Sequence, residues 1–379
     1  MPATRPWQIS MPSSLDPRRR TAIYTLAGFI AGALLTAAIL NFGPRPVVTG
    51  VAPASSAAAP SPAAASTSAG SRAAASAAAT APAPAVSATS ADADADADDD
   101  QSAQLDVDSW PQDAPSPEQV FAAQPEALRA ALGRLAKRTA GKPNVYALAF
   151  GADGSEDVFR NEAEYLDKLM ATRFGSPAHT LVLENNPATL ASHPLASWTN
   201  LEGAVDGLAK VMNPKEDILL VYIATHGGSD HSLLVDMDPI PLDQLDPDGL
   251  AQILAKHDFR WKVVVVNACY SGGYLPKLRG DGSLVLASAR TDRTSFGCGT
   301  DSDITYFGHA WLADGLNATP DFVEAFNRAK VEIAGWEKRD SVTPSEPQID
   351  IGAGIEDKLA AWRKVAKIGP AVPFAPASK

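Results

Sequence analysis

Two almost wholly apolar runs, ILLVYIAT at residues 218–225 and KVVVVN at residues 262–267, constrain this chain more than any other feature. A strand with one face in water alternates apolar and polar residues, whereas a strand without alternation is buried on both faces. A helical pattern at residues 250–257 separates the two runs, so the natural connection is a crossover between parallel strands. The same reading gives strands at 145–150, 180–183 and 284–287, and helices at 157–174, 200–212, 304–312 and 322–336. In the first of these helices Val158, Tyr165, Leu166, Leu169 and Met170 share one face. Upstream, Pro117-Glu118 and Pro125-Glu126 are each expected to open a short helix, with an apolar stripe along 127–137. Residues 343–348, containing Pro344 and Pro347, read as extended or turn. The expected fold class is α/β: a three-layer αβα domain over residues 113–379 with a mainly parallel sheet.

The N-terminal part has a different character. Residues 21–42, TAIYTLAGFIAGALLTAAILNF, hold no charge and match the roughly 20 residues that a helix needs to cross a bilayer. Arg18, Arg19 and Arg20 precede them directly, which keeps residues 1–20 cytoplasmic and exports the chain beyond residue 42. A cleaved signal peptide is the competing reading. The run is long for one and ends in Leu40-Asn41-Phe42 without a small-x-small site, which favours a single-pass transmembrane anchor. Residues 43–112, rich in Ala, Pro, Ser and Thr and including ADADADADDD at 91–100, have no periodic apolar face and are expected to form a disordered, extended linker. The formal net charge of −12 argues against a nucleic-acid partner. Cys269 and Cys298, the only cysteines, are too few for a disulfide scaffold; they are open to one pairing, to a redox switch, or to being inert thiols.

In a parallel sheet with right-handed crossovers the functional surface lies at the carboxyl ends of the strands. After the first strand comes Gly151-Ala152-Asp153-Gly154, after the third His226-Gly227-Gly228, and after the fourth Ala268-Cys269-Tyr270-Ser271-Gly272-Gly273. If the third and fourth strands are neighbours, an imidazole faces a thiol, the pairing that generates a nucleophilic thiolate. The Gly227 and Cys269 amides are then placed to hold a developing oxyanion, and Gly272 and Gly273 to permit a sharp turn. His231 is an alternative imidazole but reads as part of a turn. Ser271 lies outside a G-x-S-x-G elbow, and no H-E-x-x-H zinc motif is present.

The segments THGGSDHSLLV at 225–235 and NACYSGG at 267–273 resemble the His-Gly and Ala-Cys-x-Ser-Gly segments of the legumain-like cysteine peptidases, family C13, which share a caspase-like fold. The likeness runs over about 144–352 and includes AFGADGSEDVFRNEAE, LASARTDRTSFGC, TYFGHAW and TPSEPQ, and is nearest to bacterial members with membrane segments. The resemblance implies a cysteine-type endopeptidase acting on a peptide or protein substrate through a thioester on Cys269, with His226 as acid–base and no cofactor or metal. It implies that Asp153 orients His226, that Arg160 recognises the P1 side chain, and that Ser288 and residues 293–295, including Ser295, line the substrate groove. Asn267 stands where legumain has an acid two residues before the nucleophile, and His309 near a pocket Asp. An Arg160 pocket without those acids would favour an acidic P1 residue. The implied setting is the bacterial inner membrane, with the catalytic domain periplasmic. A transamidase using the same thioester and a non-catalytic envelope binding module are the alternatives.

Overall fold

The computed structural model describes residues 110–377. The expected anchor at 21–42, and the linker up to residue 109, lie outside the described residues. Among the described residues no helix is long and apolar enough to cross a membrane.

A six-stranded sheet forms the centre: β1 (Val145–Gly151), β2 (Thr180–Glu184), β3 (Ile218–Ala224), β4 (Trp261–Asn267), β5 (Ser283–Ala287) and β6 (Gln348–Ile351). Their order is β2-β1-β3-β4-β5-β6. The first five run parallel, and β6 joins the β5 edge antiparallel. β1, β3 and all but the first two residues of β4 are buried on both faces, as the absence of alternation requires.

The main helices are α1 (Pro117–Gly133), α2 (Asp157–Lys168), α3 (Trp198–Val211), α4 (Pro247–Ala255), α5 (Phe322–Asp340) and α6 (Ile355–Val365). One sheet face, with Ala147, Leu220, Tyr222 and Val265, packs against α2, α5 and α6 through Leu166, Phe326 and Trp362. The opposite face, with Leu148, Val221 and Val264, packs against α3 and α4 through Leu201, Val205 and Ile253. This is the expected three-layer arrangement. Its helix starts follow local chemistry: Ser197 and Asp246 accept backbone N–H groups of α3 and α4, and Pro247 occupies the first turn of α4.

The structure alters several expected elements. Instead of two short helices, α1 runs through Pro125, starting from a capping box of Ser116 and Gln119. The expected helix 157–174 ends as α helix at Lys168 and continues as a π-helical turn, Leu169–Arg173. The expected helix at 304–312 is a π-helical segment over Gly308–Gly315. Trp110, assigned to the linker by composition, is buried with Val120, Leu195 and Ile240 and donates its indole N–H to Pro115 O at 2.9 Å, so the packed domain begins before residue 113.

Candidate active site

The three central strands end in register. Gly151 of β1 pairs with Ala224 of β3, and Ala224 pairs with Asn267 of β4. Asp153, His226 and Cys269 each lie two residues beyond this row. The ladder extends past it through Ala152 N–H to Ala224 O (3.1 Å) and Thr225 N–H to Asn267 O (3.2 Å), so the three loops leave the sheet side by side. The chain turns back between β2 and β3, on either side of β1, and a crevice opens at such a switch point.

The backbones of the His and Cys loops touch. A Cβ built on Gly227 would lie 2.1 Å from the Cys269 carbonyl oxygen and 3.3 Å from the Ala268 Cβ, so only glycine fits this approach. His226, Ala268, Cys269, Ser295, Phe296 and Cys298 line one small pocket, together with Asn267 at its base. Among the described residues neither the Gly227 nor the Cys269 N–H donates to a backbone carbonyl. Immediately after Cys269, Tyr270 adopts a left-handed conformation with φ of 56°, a strained geometry for a residue with a side chain. The sharp turn therefore falls on Tyr270, not on Gly272 and Gly273. Those glycines serve close approach instead: a Cβ on Gly272 would meet Thr291 N at 2.5 Å, and one on Gly273 the His231 ring at 2.4 Å.

The imidazole of His226 is surrounded by anions. Its Nε2 lies 3.2 Å from Glu156 Oε1 and 3.4 Å from Asp153 Oδ2. Asp153 is buried, and its Oδ1 accepts from Ser155 N (2.8 Å) and Ser155 Oγ (2.7 Å), which leaves Oδ2 for the imidazole. The Phe159 ring stands edge-on to His226 at 5.1 Å. Hydrogen bonding with Cys298, reinforced by Glu156 and opposed by burial, pushes the His226 pKa up to about 9. A pKa raised above its unfolded value of 6.5 stabilises the fold fully below about pH 6.5, and the contribution disappears as pH rises through about 9. Denaturation midpoints of the wild type and His226→Gln should therefore converge over that interval; a gap that widens with rising pH would contradict the assignment.

Cys269 is in a different state. Its Sγ accepts from Ser295 N at 3.3 Å and reaches Ser295 O at 3.7 Å, and burial pushes its thiol pKa up. The resting sulfur is thus a neutral thiol lying against Ser295, rather than a preformed thiolate. Both cysteines are free, which excludes the structural disulfide.

The remaining residues implied by the resemblance divide. Ser295 meets Cys269 through its backbone. Ser288 is buried away from any groove; its Oγ accepts from Ala268 N and donates to Ala268 O, each at 2.9 Å, and so clamps the residue before Cys269. Asn267 is buried and donates its amide to Glu162 Oε2 and Thr305 Oγ1, each at 2.8 Å. Glu162 also accepts from Tyr222 OH (2.6 Å) and Thr305 N (2.9 Å), and burial raises its pKa. An acid at 267 would set two carboxylates against each other, whereas an amide supplies a donor.

Arg160 departs from its implied role. It is 1% exposed, donates to Asn186 Oδ1 at 3.1 Å and faces Asp157 at 3.6 Å, outside the Cys269 pocket. A guanidinium already buried between an amide and a carboxylate is not presented to a P1 side chain, so the acidic preference drawn from it loses its basis. His309 is half exposed, pairs with Asp314 at 3.4 Å and stacks near Trp336, also outside the pocket. His231 is held by Tyr270 O at 3.1 Å and Thr291 Oγ1 at 3.3 Å, away from the residues lining that pocket. Sequence reasoning missed Glu156 and Glu162. Both sit among several acids at 153–164, and no spacing in that stretch distinguishes a site carboxylate from a solvated one.

Residues 198–357 match the model of the Peptidase C13 family, a span that contains His226 and Cys269 but not Asp153 or Arg160. No curated protein matches the chain. Among solved structures, that of pro-sf-caspase-1 is similar at 14% identity and a TM-score of 0.37, over 55% of this chain and 88% of that chain.

Proposed function

We infer, from the match of residues 198–357 to the model of the Peptidase C13 family, that the chain is a cysteine peptidase with Cys269 as nucleophile and His226 as acid–base partner. The observation that carries the residue assignment is the common register of β1, β3 and β4, which delivers Asp153, His226 and Cys269 to one edge with the Gly227 and Cys269 backbones in contact.

In this reading substrate enters between the 226–227 and 268–270 loops and displaces Ser295 from the sulfur. With its pKa near 9, His226 acts through its minor neutral form at neutral pH: that form accepts the thiol proton, and the sulfur attacks the scissile carbonyl. The Gly227 and Cys269 amides receive the oxyanion. His226 returns the proton to the leaving amine, and water then releases the acyl group from the thioester. Asp153 holds the imidazole and supports its cationic form between the two transfers.

The test is to incubate the purified full chain with a peptide library, with and without a primary amine, and to identify products by mass spectrometry beside a Cys269→Ala control. Peptides ending in a free carboxylate report hydrolysis, and amine-capped products report transamidation. If no peptide is cut and no acyl group accumulates on Cys269, the binding-module reading replaces this one.

The setting proposed is an inner-membrane anchor with the peptidase domain periplasmic, supported by the uncharged run 21–42 behind Arg18–Arg20. Protease accessibility of the C-terminal domain in spheroplasts tests it; protection there would overturn it.

A further inference from the structure

The ligand-type atoms around His226 do more than tune its charge. One donor atom each from Glu156, His226 and Cys298 lie within 4.8 Å of one another. His226 Nε2 is 3.2 Å from Glu156 Oε1 and 3.4 Å from Asp153 Oδ2. Ligand atoms bound to one tetrahedral zinc ion at about 2.0–2.3 Å stand roughly 3.3–3.8 Å apart. The spacing here is therefore already near that of a loaded centre, and small side-chain rotations suffice to close it.

The second sphere is also built. Glu156 Oε2 accepts Gly299 N–H at 2.7 Å, which fixes the carboxylate and ties it to the residue after Cys298. Asp153 Oδ1 is occupied by Ser155, leaving Oδ2 free towards the same nitrogen. Outer hydrogen bonds of this kind hold the ligands of metal sites in orientation. A set of one thiolate, one imidazole and carboxylate oxygen suits a borderline-soft ion of the zinc class over calcium or magnesium.

We propose that Glu156, His226 and Cys298 form a regulatory site for a zinc-class divalent cation that occupies Nε2 of His226, with water as the fourth ligand. The ion takes no part in acyl transfer. Bound, it removes the lone pair that His226 needs to accept the Cys269 proton, and it pins the 295–299 segment over the pocket. The inhibitory consequence rests on the peptidase reading above; the binding site does not. Cys298 is then a ligand, neither a redox partner of Cys269 nor an inert thiol.

The experiment titrates cobalt(II) into the metal-free full chain. One equivalent should bind and give a sulfur-to-cobalt charge-transfer band, and zinc should displace it. Cys269→Ser should keep the band and the zinc affinity, and zinc should raise its melting temperature. Cys298→Ser should lose the band and bind zinc at least about 100-fold more weakly. Zinc should inhibit peptide cleavage by the wild type reversibly, with chelator restoring it, and the potency should fall in Cys298→Ser. A band absent from the wild type, or lost in Cys269→Ser while kept in Cys298→Ser, overturns the site. If zinc binds as described yet the metal-free chain cleaves no peptide, the site stands and the peptidase reading fails.

Discussion

Cys269→Ala should lower kcat/KM for peptide cleavage by about 10⁴-fold or more, and His226→Ala by nearly as much, because nucleophile and proton acceptor act as one unit. His231→Ala should cost less than about tenfold, since that imidazole spans Tyr270 O and Thr291 Oγ1 and lies outside the Cys269 pocket. The three substitutions together separate the assignment from its nearest rival. Cys269→Ala removes no large buried side chain, so denaturation should move by only about 1 kcal/mol; His226→Ala also loses the charge contribution described above, so its activity is compared at temperatures well below its own denaturation midpoint. If His231→Ala inactivates while His226→Ala does not, the imidazole has been misassigned even though the nucleophile stands.

Cys269 itself adds a condition to this prediction. Burial keeps its resting thiol neutral, outweighing the opposing hydrogen bond from Ser295 N–H, so alkylation of the free chain by iodoacetamide should be slow at neutral pH and accelerate when a peptide occupies the groove. The sequence alone points the other way, towards a standing thiolate. An imidazole near a cysteine is readable from strand ends, but whether other side chains already bond to that imidazole is not. Here Glu156 and Cys298 claim it, and both come from loops distant in sequence from His226.

Much of the fold was legible because β1, β3 and β4 lie at the centre of a parallel sheet. Burial on two faces leaves a short, unbroken apolar run rich in β-branched residues, which length and composition mark as a strand. The parts that escaped reading lack such a signature. β6, with sequence QIDI, is a half-buried edge strand of four residues, and its antiparallel pairing with β5 comes from tertiary packing. α6 begins after Gly354 in a left-handed conformation and buries only Ile355, Leu359 and Trp362 against the sheet. At the site, the residues read from strand ends lie side by side, whereas several of those implied by likeness lie elsewhere. Arg160 is held by Asn186 and Asp157, and Ser288 by the Ala268 backbone; each polar group is spent on a neighbour that only the folded structure supplies.

Gly227→Ala should reduce kcat/KM by roughly 100-fold while keeping every catalytic side chain and the backbone N–H proposed for the oxyanion. The added Cβ would fall 2.1 Å from the Cys269 carbonyl oxygen and 3.1 Å from its carbon. Both are backbone atoms, so no side chain can swing aside, and the two loops must part by about 1 Å, a displacement of the size that costs about 10²-fold when it separates reacting groups. Gly228→Ala is the paired control. Its Cβ meets only side-chain atoms, Asp230 Oδ1 at 2.6 Å and Ser232 Oγ at 3.1 Å, which can move, so its loss should stay within about tenfold. The mechanism also fixes which constant changes. If parting the loops misplaces the amides and the imidazole relative to the sulfur, kcat should fall with KM little altered, because the lost interactions belong to the transition state. Wild-type kcat in Gly227→Ala would mean that the contact between the His226 and Cys269 loops does not set the reacting geometry, and the register argument for the dyad would lose its final step.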